Sequence, residues 1–262
     1  MGNYVVTGGS KGIGREVVRI LREGGHSVLN VDYDKGDLCV DLGTREGRAA
    51  VIETAHRMFP DGIDGLASNA GIASSEPLSR TIRINYFGAV VVMEGLYDLL
   101  KMKKGHCVTT VSGSVCYSAR NNYSVDRLLV DNGDEERICK LVDTFDPRKV
   151  DNAIYVSTKI GLIRWMRRTA PAWAMEDVKL NALAPGGVNT TIMNGVMDMA
   201  PDPDVARSLV CPMLEREQRL MYPEEFALSI VHLLLPTSCG SVGSVLYCDA
   251  GQENILHTEK WY

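Results

Sequence analysis

The chain lacks the long apolar run that a membrane span requires. No uninterrupted apolar stretch among its 262 residues approaches the ~20 residues that cross a bilayer. The first residues lead directly into a β-type run, without the apolar region of a secretory signal. We therefore expect a soluble, cytoplasmic protein with no membrane partner.

A concentrated positive charge is also absent. The formal net charge at pH 7 is −5, and the lysines and arginines are spread along the chain instead of forming a basic stripe. Proteins that bind nucleic acid use such a stripe to contact phosphates. The sequence therefore argues against nucleic acid as a partner.

Disulfide and metal-binding patterns are missing as well. The seven cysteines are odd in number, widely spaced and form no C-x-x-C pair, which argues against a disulfide framework and a zinc ribbon. The five histidines show no H-x-x-x-H spacing, so a metal site would have to be assembled entirely from distant residues. We expect most cysteines to be small core residues, and we expect no metal site.

What the chain does contain is a regular alternation of strand and helix patterns. This alternation predicts an α/β fold of the Rossmann type, with a doubly wound parallel sheet of about seven strands flanked by helices, in one domain over 1–262. Ligands of such sheets bind at the carboxyl ends of the strands. The expected strands are Tyr4–Val6, Ser27–Val31, Leu38–Val40, Gly65–Ser68, Cys107–Val111, Val178–Leu183 and Val245–Cys248.

Two stretches interrupt the alternation. Residues 115–152 are polar and charged with helical patches, and they are too long for an ordinary loop between a strand and a helix. Residues 187–213 suit either a mobile apolar flap over a substrate cleft or an irregular packed loop. They contain Ile192, Met193, Met197, Met199 and Met213 among Asn, Asp and Pro residues. Elsewhere the pattern predicts one long helix over 80–103 and another over 153–168.

The run YVVTGGSKGIG places glycines where the first strand turns into a helix. Glycines let the backbone approach a bulky group, and the exposed N–H groups of a helix start favour an anion, although a plain steric turn has the same pattern. Asp32 ends the second strand about 20 residues further on, where a dinucleotide-binding unit places a carboxylate against the adenosine ribose. Together these features favour a nucleotide.

Tyr155 and Lys159 are four residues apart on an expected helix, so their side chains share one face. A tyrosine with a pKa of about 10 is a poor base at neutral pH, and a nearby ammonium group favours its ionised form. The pair can therefore transfer a proton. Tyr97 and Lys101 have the same spacing, but they lie away from any strand end and are interpreted as structural.

With these pieces in place, the sequence resembles the classical short-chain dehydrogenase/reductase family over nearly its whole length. The resemblance lies in the order and spacing of several motifs together. They are TGGSKGIG (7–14), Asp32, DL (41–42), NAG (69–71), Asn85, a serine after the fifth strand, YVSTK (155–159), PGGVNT (185–190) and DAG (249–251).

The resemblance implies a mechanism. Tyr155 would be the general acid or base, Lys159 would lower its pKa and hold the nicotinamide ribose, and Asn85 would anchor a relay water. Pro185, Gly186, Val188 and Thr190 would seat the nicotinamide. The full implied cofactor-binding set is Gly8, Ser10, Lys11, Gly12, Ile13, Gly14, Asp32, Asp41, Leu42, Asn69, Ala70, Gly71, Tyr155, Lys159, Pro185, Gly186, Val188 and Thr190.

The catalytic serine has two candidates, because the fifth strand ends in Ser112-Gly113-Ser114 where the family usually has two adjacent serines. Counting from Gly105 favours Ser112. The valine that follows the serine in many members favours Ser114, which we take as the expected residue.

The cofactor is expected to be NAD. Lys11 resembles a basic residue of relatives that use NADP, but Asp32 puts a carboxylate where a 2′-phosphate would lie, and two anions at close range repel each other.

The sequence also resembles the bacterial branch of 3α-hydroxysteroid dehydrogenases/carbonyl reductases. That resemblance rests on the long interval between Ser114 and Tyr155 together with INYFG (84–88), DGLASNAG (64–71) and TREGR (44–48). That likeness implies a small hydrophobic substrate such as a steroid or bile acid, and a homo-oligomer. An alternative with the same chemistry is a dehydrogenase of aromatic or allylic alcohols such as coniferyl alcohol. An alternative that is not an enzyme is a catalytically silent protein that senses dinucleotides.

Overall fold

The computed structural model describes residues 1–73, 75–117, 123–150, 152–190, 193, 202–211, 219–236 and 240–260. Seven strands form one parallel sheet in the order β3-β2-β1-β4-β5-β6-β7, as the sequence predicts. The strands are β1 Asn3–Thr7, β2 Ser27–Asp32, β3 Leu38–Cys39, β4 Gly65–Ser68, β5 His106–Thr110, β6 Lys179–Pro185 and β7 Val245–Cys248.

The strand order reverses direction between β1 and β4, which pair directly, with Tyr4 opposite Gly65 and Thr7 opposite Ser68. In doubly wound sheets, the crevice outside the carboxyl ends of the strands at such a reversal is where ligands bind. The topology therefore places the cleft beside the glycine turn that follows β1.

Helices cover both faces of the sheet. They are α1 Gly12–Glu23, α2 Arg45–Met58, α3 Leu78–Ile82, α4 Gly88–Gly95, α5 Tyr97–Lys103, α6 Asp126–Asn132, α7 Glu135–Val142, α8 Pro147–Val150, α9 Ala153–Ala174, α10 Pro203–Val210, α11 Pro223–Leu234 and α12 Gln252–Leu256. Apolar side chains of α1 and α11 form the core on one face, and those of α2, α4 and α9 form the larger core on the other. No helix in the described part of the chain is long and apolar enough to cross a membrane.

The expectation of one continuous helix over 80–103 is wrong. The structure divides it into α3, a π-helical turn Arg83–Phe87, α4 and α5. Leu96 leaves the helical conformation with φ −108° and ψ 5°. At the preceding Gly95, a Cβ atom would lie 2.3 Å from Ile52 Cδ1 of α2, so α2 and α4 approach closely at the break.

The inserted segment packs onto the fold through a buried ion pair. Arg48 of α2 is 2% exposed, and its Nη2 atom donates to both carboxylate oxygens of Glu135 at 3.0 and 2.9 Å. Arg83 donates to the same carboxylate at 2.9 Å. The helical patches expected in 115–152 are thus α6, α7 and α8. In 187–213, by contrast, Ile192, Met197, Met199 and Met213 lie outside the described residues, and the flap stays a prediction.

We expect Glu135→Ala to lower the free energy of unfolding by about 3 kcal/mol, because it leaves the buried Arg48 guanidinium without its partner. Glu136→Ala is the matched control, since Glu136 is the next residue of α7 and pairs with Arg83 at the surface. Exposed pairs contribute little, so this variant should be close to wild type. Urea unfolding of the three proteins makes the comparison, and equal losses in both variants would contradict the anchoring role of Arg48.

Candidate active site

A cavity of about 800 Å³ opens at the carboxyl edge of the sheet. It collects most of the residues implied by the family resemblance, although they come from both halves of the chain. The implied residues that line it are Gly8, Lys11, Gly12, Ile13, Asp32, Asp41, Leu42, Asn69, Ala70, Gly71, Tyr155, Lys159, Pro185, Gly186, Val188 and Thr190. Ser10, Gly14, Asn85 and Ser114 lie outside this lining.

The glycines of the turn have different physical reasons. Gly8 has φ +69°, and a Cβ atom on Gly14 would lie 2.1 Å from the Gly8 carbonyl oxygen, so these two positions need glycine for the turn itself. Gly12 begins α1 with φ +51° and lines the cavity. The residue before it, Lys11, makes no side-chain capping hydrogen bond to the start of this helix. The tight backbone turn therefore accounts for the glycines at Gly8 and Gly14, while the N–H groups at the helix start near Gly12 are available to an anion.

The Asp32 carboxylate is fixed at the end of β2. Its Oδ2 atom accepts from the Ser10 backbone N–H at 2.9 Å, and its Oδ1 atom accepts from the Tyr33 N–H at 2.7 Å. Lys11 points its ammonium group to Asp34, with Nζ to Oδ2 at 3.0 Å. The lysine that resembles a phosphate ligand is therefore already paired with a carboxylate.

Sequence reasoning missed Arg80 at this end of the cavity. Its Nη1 atom donates to Asp41 Oδ2 at 3.2 Å, and its guanidinium lies 6.0 Å from the centre of the Tyr33 ring. No local pattern could have revealed this contact, because 39 residues separate Arg80 from Asp41.

Tyr155 and Lys159 project from α9 into the cavity. Lys159 is 4% exposed, and its ammonium group donates to the Thr110 carbonyl oxygen at the end of β5 at 3.1 Å. The Lys159 nitrogen lies 5.7 Å from the centre of the Tyr155 ring. Burial lowers the pKa of Lys159 to about 8.

The Ser112 side chain lies beside Tyr155 on the cavity wall. Burial raises the pKa of Tyr155 above its ordinary value, and the Ser112 hydroxyl lowers it by a smaller amount. The resemblance implied a pKa lowered by Lys159, whereas in this structure burial is the larger influence and acts in the opposite direction.

The structure brings Ser112, and not the expected Ser114, to Tyr155. Ser112 lines the cavity and precedes the 3₁₀ turn Gly113–Cys116. Ser114 lies within that turn and does not line the cavity. The Ser114 backbone N–H donates to Ser112 Oγ at 3.2 Å. The Ser114 hydroxyl oxygen is buried and has no hydrogen-bond partner in the described ranges. The geometry therefore favours Ser112, as does the count from Gly105, and the identity of the catalytic serine stays a prediction.

Asn85 is fully buried in the π-helical turn. Its Oδ1 atom accepts from the Ile72 N–H at 2.8 Å, and its Nδ2 atom donates to the Ile72 carbonyl at 2.9 Å. A Cβ atom on Gly71 would lie 3.3 Å from Asn85 Oδ1 and 3.4 Å from Lys159 Nζ, so Asn85 is close to the lysine through this glycine. Its role as a water anchor stays a prediction.

The second Tyr-x-x-x-Lys match has a structural place, as expected. The Tyr97 ring packs on Trp173 with 4.8 Å between ring centres, and Lys101 pairs with Glu176 at 3.0 Å. Neither residue lines the cavity.

Comparisons with known proteins show the family of this chain. The short chain dehydrogenase model matches residues 3–125, and the enoyl-(acyl carrier protein) reductase model matches residues 148–253. A coniferyl-alcohol dehydrogenase from Pseudomonas sp. is 30% identical over 204 residues, which cover 74% of this chain and 76% of that protein. The chain belongs to the short-chain dehydrogenase family.

Within this short-chain dehydrogenase family, a 3α-hydroxysteroid dehydrogenase/carbonyl reductase from Comamonas testosteroni is 28% identical over 260 residues, 98% of each chain. The crystal structure of the 3α-hydroxysteroid dehydrogenase from Pseudomonas sp. B-0831, complexed with NADH, has a TM-score of 0.86 and 26% identity. It covers 99% of this chain and 100% of that one. This protein is therefore an oxidoreductase of the short-chain dehydrogenase family.

The low pKa of Lys159 predicts a pH effect on stability. Because this pKa falls from 10.5 to about 8 on folding, the unfolded chain binds more protons between these values, and stability rises with pH across this window. We therefore expect the difference in the free energy of unfolding between the wild type and Lys159→Met to change with pH. It should rise in favour of the wild type by about 3 kcal/mol as the pH increases from about 8 to 10.5.

Urea unfolding at a series of pH values measures this difference. Lys101→Met is the control, because Lys101 pairs with Glu176 at the surface and its pKa is raised by that hydrogen bond. This control should show no rise over the same interval. A pH-independent difference for Lys159→Met would contradict the burial of a lysine with a lowered pKa.

Proposed function

We propose that this protein is an NAD-dependent oxidoreductase that interconverts a secondary alcohol and a ketone on a hydrophobic ring compound, with the 3α-hydroxyl of a steroid or bile acid as its substrate group. The observation that carries the reaction is the placement of Tyr155 beside Ser112 and Lys159 in the same cavity as the glycine turn.

The residues present fit a dinucleotide cofactor. The glycine backbone at the start of α1 leaves room for a pyrophosphate, since a Cβ atom on Gly12 would meet only Thr190 Cγ2, at 3.3 Å. Asp32 ends β2 on the cavity wall and would accept hydrogen bonds from the adenosine ribose. The similar dehydrogenase from Pseudomonas sp. B-0831 was crystallised with NADH. When bound, NAD supplies the hydride acceptor or donor.

The charges around the adenosine end favour NAD over NADP. A 2′-phosphate beside Asp32 would be repelled at close range. Lys11 cannot compensate without leaving Asp34, to which it is paired at 3.0 Å. Arg80 is likewise paired with Asp41.

The proton chemistry belongs to Tyr155 and Ser112. In the reductive direction the Tyr155 hydroxyl donates its proton to the ketone oxygen, while the Ser112 hydroxyl holds that oxygen by a hydrogen bond. Oxidation of the alcohol needs Tyr155 in its ionised form. Because burial raises the pKa of Tyr155, oxidation should be faster at alkaline pH. Below a pH of about 8, where Lys159 is protonated, its charge would favour the ionised form of Tyr155.

The cavity wall suits an apolar ring compound. Beyond the reacting groups, its described lining includes the apolar residues Ile72, Ala73, Val188, Met193 and Pro223. The two arginines of that lining, Arg15 and Arg80, are already paired with Glu16 and Asp41. The choice of a 3α-hydroxysteroid among apolar alcohols is supported by the Comamonas testosteroni relative.

A second candidate substrate is an aromatic or allylic alcohol. The coniferyl-alcohol dehydrogenase from Pseudomonas sp. favours it, with 30% identity over a shorter part of the chain. The silent dinucleotide sensor has less support, because Ser112, Tyr155 and Lys159 all line the cavity. A homo-oligomer and a cytoplasmic location stay predictions.

A panel of 3α-, 3β-, 7α-, 12α- and 17β-hydroxysteroids, bile acids and coniferyl alcohol, assayed by absorbance with NAD and NADP, tests the proposal. We expect oxidation of 3α-hydroxysteroids or bile acids, with the 3β-epimers much slower because the hydrogen on C3 would face away from the hydride acceptor. With NAD, kcat/KM should exceed the value with NADP by at least about tenfold, owing to Asp32.

Asp32→Ala tests the cofactor argument, because this variant should reduce the ratio of kcat/KM with NAD to kcat/KM with NADP. If the protein oxidises coniferyl alcohol but none of the 3α-hydroxysteroids, the second candidate substrate class is the correct one. If no alcohol in the panel reacts, the protein is better explained as a catalytically silent dinucleotide sensor. Equal kcat/KM values with NAD and NADP would contradict the proposed effect of Asp32 on cofactor choice.

A further inference from the structure

Three side chains of metal-ligating types meet outside the active-site cavity. They are Cys116, Glu253 and His257, and their sulfur, carboxylate oxygen and imidazole nitrogen atoms lie within 4.8 Å of one another. Each residue is partly buried. None of them lines the cavity that holds Tyr155.

The fold brings the three residues together from two segments. Cys116 closes the 3₁₀ turn after β5, while Glu253 and His257 are four residues apart at α12, so they share one face of a helical turn. A hydrogen bond from Gln252 to the Tyr117 hydroxyl joins the two segments beside the cluster. An H-x-x-x-H pattern does not reveal this group, because the two residues four apart on the helical turn are Glu253 and His257.

The start of α12 holds Glu253 in place. Asp249 accepts hydrogen bonds from the backbone N–H groups of Gly251 at 3.1 Å and of Glu253 at 2.7 Å. Gly251 has φ +86°, a left-handed conformation that glycine adopts without strain. The backbone that presents the glutamate is therefore fixed by its own contacts.

The local charge favours a cation. Burial, together with the carboxylates of Glu253 and Asp249, raises the pKa of the Cys116 thiol to about 11. The Lys260 Nζ atom lies 3.5 Å from the Glu253 carboxylate, and the His257 Nδ1 atom lies 3.2 Å from it. The His257 Nδ1 atom is buried, and its approach to Glu253 lacks hydrogen-bond geometry.

We propose that Cys116, Glu253 and His257 form a binding site for one zinc ion. Thiolate, imidazole and carboxylate are the three ligand types that zinc takes in proteins, and water can fill a fourth position. On binding, the thiol proton passes to solvent and the sulfur bonds to the ion. Tyr247 lies beside Cys116 and would orient the sulfur from outside the ligand set.

The geometry needs only a small adjustment. Zinc bonds of about 2.0 to 2.3 Å at tetrahedral angles put ligand atoms about 3.5 Å apart. The three atoms therefore have to approach one another by at most about 1.3 Å from separations within 4.8 Å, which rotation of partly exposed side chains provides. A bound ion would clamp the turn that follows Ser112 onto α12.

Cobalt(II) replaces zinc in such sites and reports a thiolate ligand by a charge-transfer absorption band. We expect the full-length, chelator-treated protein to bind one Co²⁺ per chain with this band, and stoichiometric Zn²⁺ to abolish the band and raise the Tm. Cys116→Ser should lack the band and bind Zn²⁺ at least about tenfold more weakly, since even outer contacts of metal ligands contribute that much.

Cys248→Ser is the matched control, because Cys248 is also a partly buried free cysteine and its thiol bonds to Ser229. It should bind both ions as the wild type does. His257→Asn is a second ligand variant, which should weaken Zn²⁺ binding while keeping the Tm of the metal-free protein. A band that persists in Cys116→Ser, an unchanged affinity in His257→Asn, or no saturable binding in the wild type would overturn the site.

Discussion

The Asn69 side chain ties together the three strands on which the active site depends. Its Nδ2 atom donates to the Gly8 carbonyl at 3.3 Å, and its Oδ1 atom accepts from the Thr110 hydroxyl at 3.1 Å. The backbone carbonyl of Thr110 in turn accepts from the Lys159 ammonium group. One amide therefore connects the glycine turn after β1 with the end of β5 and, through it, with the lysine of α9.

This connection explains why the cofactor and proton-transfer parts of the cavity keep one geometry. The β1–β4 junction is held further by the Thr7 hydroxyl, which accepts from the backbone N–H groups of Asn69 at 3.1 Å and Ala70 at 3.2 Å. A Cβ atom on Gly8 would lie 2.8 Å from Ala70 Cα, so the two turns touch. Buried polar networks of this kind are stable only when their members are satisfied together, which makes the site a unit.

Much of the fold could be predicted because the sheet is encoded locally. Apolar runs such as those of β1 and β2 alternate with helical patterns, and that order alone leads to a parallel doubly wound sheet. The division of the helix over 80–103 could not be predicted, because it depends on the contact of Gly95 with Ile52 in another helix. The anchor between Arg48 and Glu135 joins residues 87 positions apart, and no local spacing reveals it.

The candidate site divides in the same way. The residues of the glycine turn, Asp32, Tyr155 and Lys159 were found from spacing, since each lies at a strand end or on one helix face. The choice between two serines depends on how the chain turns after β5, and a 3₁₀ turn that begins at Gly113 leaves Ser112 on the wall and removes Ser114 from it. Motif alignment carries no information about that turn.

The most direct measurement compares Ser112→Ala, Ser114→Ala and Tyr155→Phe in steady-state turnover of the best alcohol in the panel, with NADH binding measured alongside. Loss of the acid–base group or of a hydrogen bond to the reacting oxygen should lower kcat/KM for Tyr155→Phe and Ser112→Ala by at least about 100-fold, with NADH binding nearly intact. Ser114→Ala should stay within a few-fold of the wild type. A Ser114→Ala variant that loses as much activity as Ser112→Ala, or a Tyr155→Phe variant that keeps turnover, would contradict the account.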